Sequence, residues 1–188
     1  YIEALQIAKS ADMIEIRADL MDLDHESLEN LLSIEVKKVF TCRPDHISNS
    51  EREDLFRLAV QKEADYIDIE YESDVEFVKK IQKIIAGTGT SLILSYHNYD
   101  LTPASEELSK ILQNCYFRGA DIAKIATMIR SNKDILNLFS LYKTEGRKIL
   151  LGMGEKGMIT RVAGAPLGSE FTFASLDDVN KTDPGQIS

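Results

Sequence analysis

The stretch "ADIAKIATM" (120–128) sets Lys124 in the middle of an apolar run. Lysine is rarely fully buried, and an uncompensated ammonium in apolar surroundings is costly or shifts its pKa. His97 lies 27 residues before Lys124, and Glu70 lies 27 before His97. One reading of the lysine is structural, an ion pair with Glu70 or Asp68. The other is chemical. Partial desolvation and nearby arginines lower a lysine pKa, and a free amine beside an imidazole and a carboxylate can form an imine with a ketone and move its protons.

The elements that must position these groups are legible as a repeat. Short β-rich runs occur at 12–17, 38–43, 65–70, 92–97, 121–126, 148–153 and 171–175, separated by amphipathic stretches with apolar residues at three-and-four spacing, such as "EREDLFRLAVQKE" and "DVEFVKKIQKIIAG". Strand and helix alternate, which predicts parallel α/β architecture. Arg17 to Arg43 is 26 residues, and the steps from Arg43 through Glu70, His97 and Lys124 to Leu151 are 27 each. One βα unit per step predicts a single (β/α)8 TIM-barrel domain over 1–188. Because the chain opens with a helical stretch, "YIEALQIAKS", the first strand is expected upstream of Tyr1. A doubly wound open sheet is the alternative, but the Gly-rich nucleotide loop it usually carries is missing.

Side chains alternate across a strand. In "MIEIR", Glu15 and Arg17 oppose Ile14 and Ile16; in "VFTCR", Thr41 and Arg43 oppose Phe40 and Cys42; in "YIDIE", Asp68 and Glu70 oppose Ile67 and Ile69. The polar parity is expected to face the barrel interior. His97 with Ser95, and Lys124 with Ile122 and Ala126, fall in the same set. Glu15, Arg17, Arg43, Glu70 and His97 stand at the carboxyl ends of their strands, where barrels of this type place their chemistry.

Those residues, with "EIRAD", "TCRP", "ADYIDIE", "SYHNYD", "ADIAKIA", "GMGEKGMITR" and "PGQIS" in this order, resemble the type I 3-dehydroquinate dehydratases of the shikimate pathway. The resemblance spans nearly the whole chain. It implies Lys124 as the Schiff-base lysine, His97 as general acid and base, and Glu70 as the group that orients His97. It further implies Arg161 on the substrate carboxylate, Glu15, Arg17 and Arg43 on the ring hydroxyls, and Met153 and Phe173 packed on the ring. Thr182 and Gln186 would belong to a loop that closes over the ligand. No metal or cofactor is implied, and a cytoplasmic homodimer is expected. Leu151 stands where many relatives carry methionine, and Asp183 where a small neutral residue is usual.

Composition bounds the alternatives. A formal net charge of -9 argues against a nucleic-acid or anionic-membrane surface. No apolar run approaches a membrane span, so an intracellular chain is expected. Cys42 and Cys115 have no metal-type spacing and read as buried apolar residues. His25 and His46 read as solvated surface histidines, and "AGTGT" (86–90) as a turn on the face away from the site. Two other functions fit less of the sequence. An aldolase acting on phosphorylated sugars would use "GMGEKGM" as a phosphate loop but leaves "PGQ" and the pair Glu15 and Arg17 unexplained. A non-catalytic barrel within a multifunctional chain leaves the set Glu70, His97, Lys124 and Arg161 without purpose.

Overall fold

The computed structural model describes residues 11–22, 24–44 and 46–175. The helical stretch at 1–10 and the residues Thr182 and Gln186 lie outside the described residues. Six strands follow in chain order: β1 (Met13–Arg17), β2 (Lys37–Thr41), β3 (Tyr66–Glu70), β4 (Ser91–Asn98), β5 (Ile122–Met128) and β6 (Arg147–Met153). Between and after them run α1 (His25–Leu32), α2 (Asn49–Gln61), α3 (Val75–Ile85), α4 (Ser105–Phe117), α5 (Asn132–Ser140) and α6 (Met158–Leu167). Sheet order equals chain order, β1-β2-β3-β4-β5-β6. A doubly wound sheet reverses its order at a switch point; this one does not, and successive parallel βα units are those of the (β/α)8 barrel class.

The chain divides into two compact units, Tyr1–Ile93 and Leu94–Ser188. In the first, β1 pairs with β2 and β2 with β3, all parallel, with Ile16 opposite Phe40 and Phe40 opposite Ile67. Partners across a parallel ladder share a face. One face is therefore apolar but for Lys38 near the start of β2, and the other carries Glu15, Arg17, Thr41 and Asp68. The apolar face packs on the helices through Phe40, Phe56 and Phe77, with ring centroids 5.6 and 6.2 Å apart in succession. Helix starts are set locally. Ser48 and Glu51 form a reciprocal capping box on α2, and Asp74 accepts from the Glu76 and Phe77 amides at the start of α3.

In the second unit β5 pairs with β6 from Ile122 opposite Arg147 to Met128 opposite Met153. Every residue of β5 before Met128 is buried, as expected for a strand covered on both faces. The run at 171–175 is not a strand. Just before it a parallel bridge joins Ser169 to Lys148, with the Glu170 amide donating to the Lys148 carbonyl at 2.9 Å. Its alternating Phe171 and Phe173 have the strand period, but a ladder needs successive pairings, and within the run only Ala174 takes part in a bridge, an isolated one. "AGTGT" is the turn from α3 into β4, as expected, with Gly87 at φ +78.

Candidate active site

In the first unit four of the expected residues, Glu15, Arg17, Arg43 and Glu70, fall into three pairs. Glu15 accepts a hydrogen bond from Thr41 at 2.8 Å. Arg17 forks onto Asp19 through Nε at 3.1 Å and Nη2 at 2.6 Å. Arg43 Nε forms an ion pair with Glu70 at 3.0 Å, both side chains about one-sixth exposed. Burial works against the charge on Arg17, but the hydrogen bond and charge of Asp19 outweigh it and hold the guanidinium pKa above its ordinary value. Asp19 is affected in the opposite sense: burial pushes its pKa up, and the Arg17 interactions with the Arg43 amide bring it below the ordinary range.

In the second unit Lys124 is 3% exposed on β5 and its Nζ lies 4.2 Å from the centroid of the Phe173 ring. The other two buried strand lysines differ. Lys38 donates to the carbonyls of Ile34 and Val36, and Lys148 to those of Thr144 and Gly146, so each ties down the loop that leads into its own strand. Those are structural lysines at the amino-terminal ends of β2 and β6. Lys124 is two residues into its strand, with an aromatic face against its ammonium, a contact worth about 0.5–2 kcal/mol.

The register places Leu151 and Met153 on the same face as Lys124, since Ala126 pairs with Leu151 and Met128 with Met153. His97, near the end of β4, is partly buried and stacks on Tyr99 with rings 6.1 Å apart and 11° from parallel. Arg161 is 3% exposed on α6, and its Nη1 donates to the Phe173 carbonyl at 3.0 Å. Phe173 is thus the hub of this unit, its ring on Lys124 and its carbonyl on Arg161.

"GMGEKGM" has a packing explanation. A Cβ on Gly152 would lie 2.6 Å from Ile129, and one on Gly157 would lie 2.4 Å from the Gly152 backbone. Thr160 accepts from the Gly152 amide and donates to the Gly157 carbonyl, both at 2.7 Å. These glycines let the strand end and the following turn touch, which seats the first turn of α6 and Arg161 in it. His25 and His46 are exposed, and Cys42 and Cys115 are buried thiols outside any disulfide.

Sequence reading missed Asp19, Tyr99 and the partnership of Thr41 with Glu15. Asp19 and Tyr99 do lie inside "EIRAD" and "SYHNYD", so the signal was proximity to a motif rather than parity. Cys42 is an inert thiol, since burial pushes its pKa up to about 11.

Comparison with known proteins agrees along the whole chain. A sequence model of the type I 3-dehydroquinase family matches residues 2–188. A 3-dehydroquinate dehydratase from Methanocaldococcus jannaschii is 36% identical over 187 residues, covering 94% of this chain and 82% of that protein. The solved 3-dehydroquinate dehydratase of Aquifex aeolicus has a TM-score of 0.82 at 35% identity, covering 100% of this chain and 88% of its own. The type I 3-dehydroquinate dehydratase of Clostridium difficile, solved with covalently modified comenic acid, has a TM-score of 0.86 at 27% identity, covering 100% and 81%.

Proposed function

Since the chain belongs to the type I 3-dehydroquinase family, we propose that it removes water from 3-dehydroquinate through a Schiff base on Lys124. The family's reaction, a hydro-lyase step of the shikimate pathway, produces 3-dehydroshikimate. The observation that carries the reading is Lys124 itself, buried in the middle of a strand with its ammonium 4.2 Å from the centroid of the Phe173 ring.

Each step asks for a group of that kind. The neutral amine of Lys124 adds to the C3 ketone, and loss of water leaves a protonated imine. That cation withdraws electrons and acidifies the C2 proton. His97 takes the proton to give an enamine, then returns a proton to the departing C1 hydroxyl, which leaves as water. Hydrolysis of the conjugated imine releases the product and restores the amine. One imidazole serves as base and acid because its ordinary pKa, about 6.5, lies near neutrality.

The remaining assignments belong to the same proposal. Glu70 orients the imidazole, Arg161 offers a planar fork to the substrate carboxylate, and Glu15, Arg17 and Arg43 hold ring hydroxyls. Met153 and Phe173 pack on the ring, and Thr182 and Gln186 complete the contacts. A homodimer of single-domain, cytoplasmic chains completes the reading. That a relative was solved with a covalently modified ligand supports a site able to form adducts. The experiment is reductive trapping: borohydride added with substrate should fix one adduct, on Lys124, identified by mass spectrometry of the digest. An active protein that gives no adduct, or gives it on another lysine, refutes the mechanism.

A further inference from the structure

The strand β2 ends at Thr41, one residue before a peptide unit held on both sides by buried charge. The Cys42 carbonyl accepts from Arg52 Nε at 2.9 Å. The amide of the next residue, Arg43, is near enough to the carboxylate of Asp19 to help hold its pKa down. These are the two polar groups of one trans peptide, and they point in opposite directions. The Asp19 side chain is 4% exposed and Arg52 is 1% exposed. The same carboxylate also forks onto Arg17.

Arg52 is an expensive residue to bury. Its guanidinium contacts the Asn49 side-chain oxygen at 3.0 Å and the face of Phe77 at 4.4 Å, with Phe56 at 5.9 Å. A buried ionic group can often be replaced by an apolar side chain of similar volume without loss of stability. Stability alone therefore does not account for arginine at this position. What Arg52 does fix is the plane of the Cys42–Arg43 peptide, and with it the direction in which Arg43 leaves the sheet toward Glu70.

We propose that Asp19 and Arg52 are positioning residues that clamp the Cys42–Arg43 peptide from opposite sides, so that Arg17 and Arg43 are aimed at the substrate before it binds. This rests on the reading above, in which those two arginines hold ring hydroxyls. Preorganisation of that kind acts on binding, because guanidinium groups that must be ordered by the ligand give up part of their interaction to that ordering.

The test is a pair of double-mutant cycles read as KM and kcat for 3-dehydroquinate. Asp19→Asn keeps an oxygen for the Arg43 amide but loses the ionic fork, so its effect should run through Arg17. Arg52→Met keeps volume but releases the Cys42 carbonyl, so its effect should run through Arg43. Each single variant should raise KM on the order of tenfold, since a misplacement of about 1 Å costs up to about 10²-fold. Asp19→Asn should add nothing in an Arg17→Ala background, and Arg52→Met nothing in an Arg43→Ala background. A purely structural role would lower the melting temperature and cost the same in both backgrounds, which would overturn the proposal, as would KM within about twofold of the parent. Should Arg52→Met fail to fold, Arg52→Lys, which retains one donor but not the fork, is read in the same cycle. If Arg17→Ala and Arg43→Ala leave KM unchanged, the substrate-binding assignment falls and the clamp's purpose with it. If those two raise KM and the clamp variants do not, the clamp alone is wrong.

Discussion

Gly157→Ala tests whether the contact between the end of β6 and the start of α6 seats Arg161. At φ -76 the residue is in the right-handed region, so alanine carries no backbone penalty there. The obstacle is steric. The new Cβ would be 2.4 Å from the Gly152 carbonyl carbon and oxygen, where ordinary contact begins at 3.4 Å, so the backbones must part by about 1 Å. Neither obstacle can rotate aside, because both are main chain. Overpacking of this kind costs about 1–3 kcal/mol, and weakening the two Thr160 hydrogen bonds adds to it at about 0.5–1.5 kcal/mol each. A total of about 2–6 kcal/mol corresponds to a fall in melting temperature of about 4–24 °C in a domain of this size. Arg161 follows one residue after Thr160, so the displaced turn should also raise KM for 3-dehydroquinate. Gly89→Ala is the control, since a Cβ there meets nothing within 4 Å, and it should be neutral or slightly stabilising. Urea unfolding of the two variants decides the matter. A Gly157→Ala protein within about 0.5 kcal/mol of Gly89→Ala, with unchanged KM, would refute the close-approach argument.

Three further outcomes follow from the proposed roles. His97→Ala should lower kcat by at least about 10²–10⁴ while an imine still accumulates under borohydride; turnover near the parent value would remove His97 from the proton transfers. Arg161→Ala should raise KM strongly, by the equivalent of about 1.5–3 kcal/mol for a charge-assisted pair, and unchanged affinity would cancel the carboxylate assignment. Asp19 gives a pH signature: with its pKa below the ordinary aspartate value near 3.8, its contribution is present above that value and is lost as pH falls through the lower folded value. Unfolding midpoints measured from about pH 5 down to about pH 3 should therefore fall more steeply for the parent than for Asp19→Asn, and equal slopes would show that the carboxylate is not held this way.

Much of the candidate site was readable from local pattern. The 26- and 27-residue steps marked the βα units, and period-2 alternation put Glu15, Arg17, Thr41 and Asp68 on one face, as the register of β1, β2 and β3 bears out. The three-and-four spacing located α2 and α3 within a few residues of their bounds. The run at 171–175 went the other way. Its alternation was correct for an extended chain, but whether such a chain becomes a strand depends on how many successive backbone groups its neighbour offers, and the bridges at Ser169 and Ala174 are isolated ones.

The sequence by itself determined what depends on residues two, three or four apart, because side-chain direction in strands and helices repeats at those intervals. That covers the strand and helix order, the polar face and the identity of Lys124 as an unusual lysine. Only the tertiary structure decided which distant groups meet. The Phe173 ring lies on an ammonium 49 positions earlier in the chain, Asp19 lies near an amide from the next βα unit, and Gly157 touches Gly152 because a turn folds back on a strand end. No periodicity encodes such contacts. They arise where packed elements bring side chains together, and a single ångström of backbone position decides whether a carboxylate reaches an arginine or a glycine is the one residue that fits.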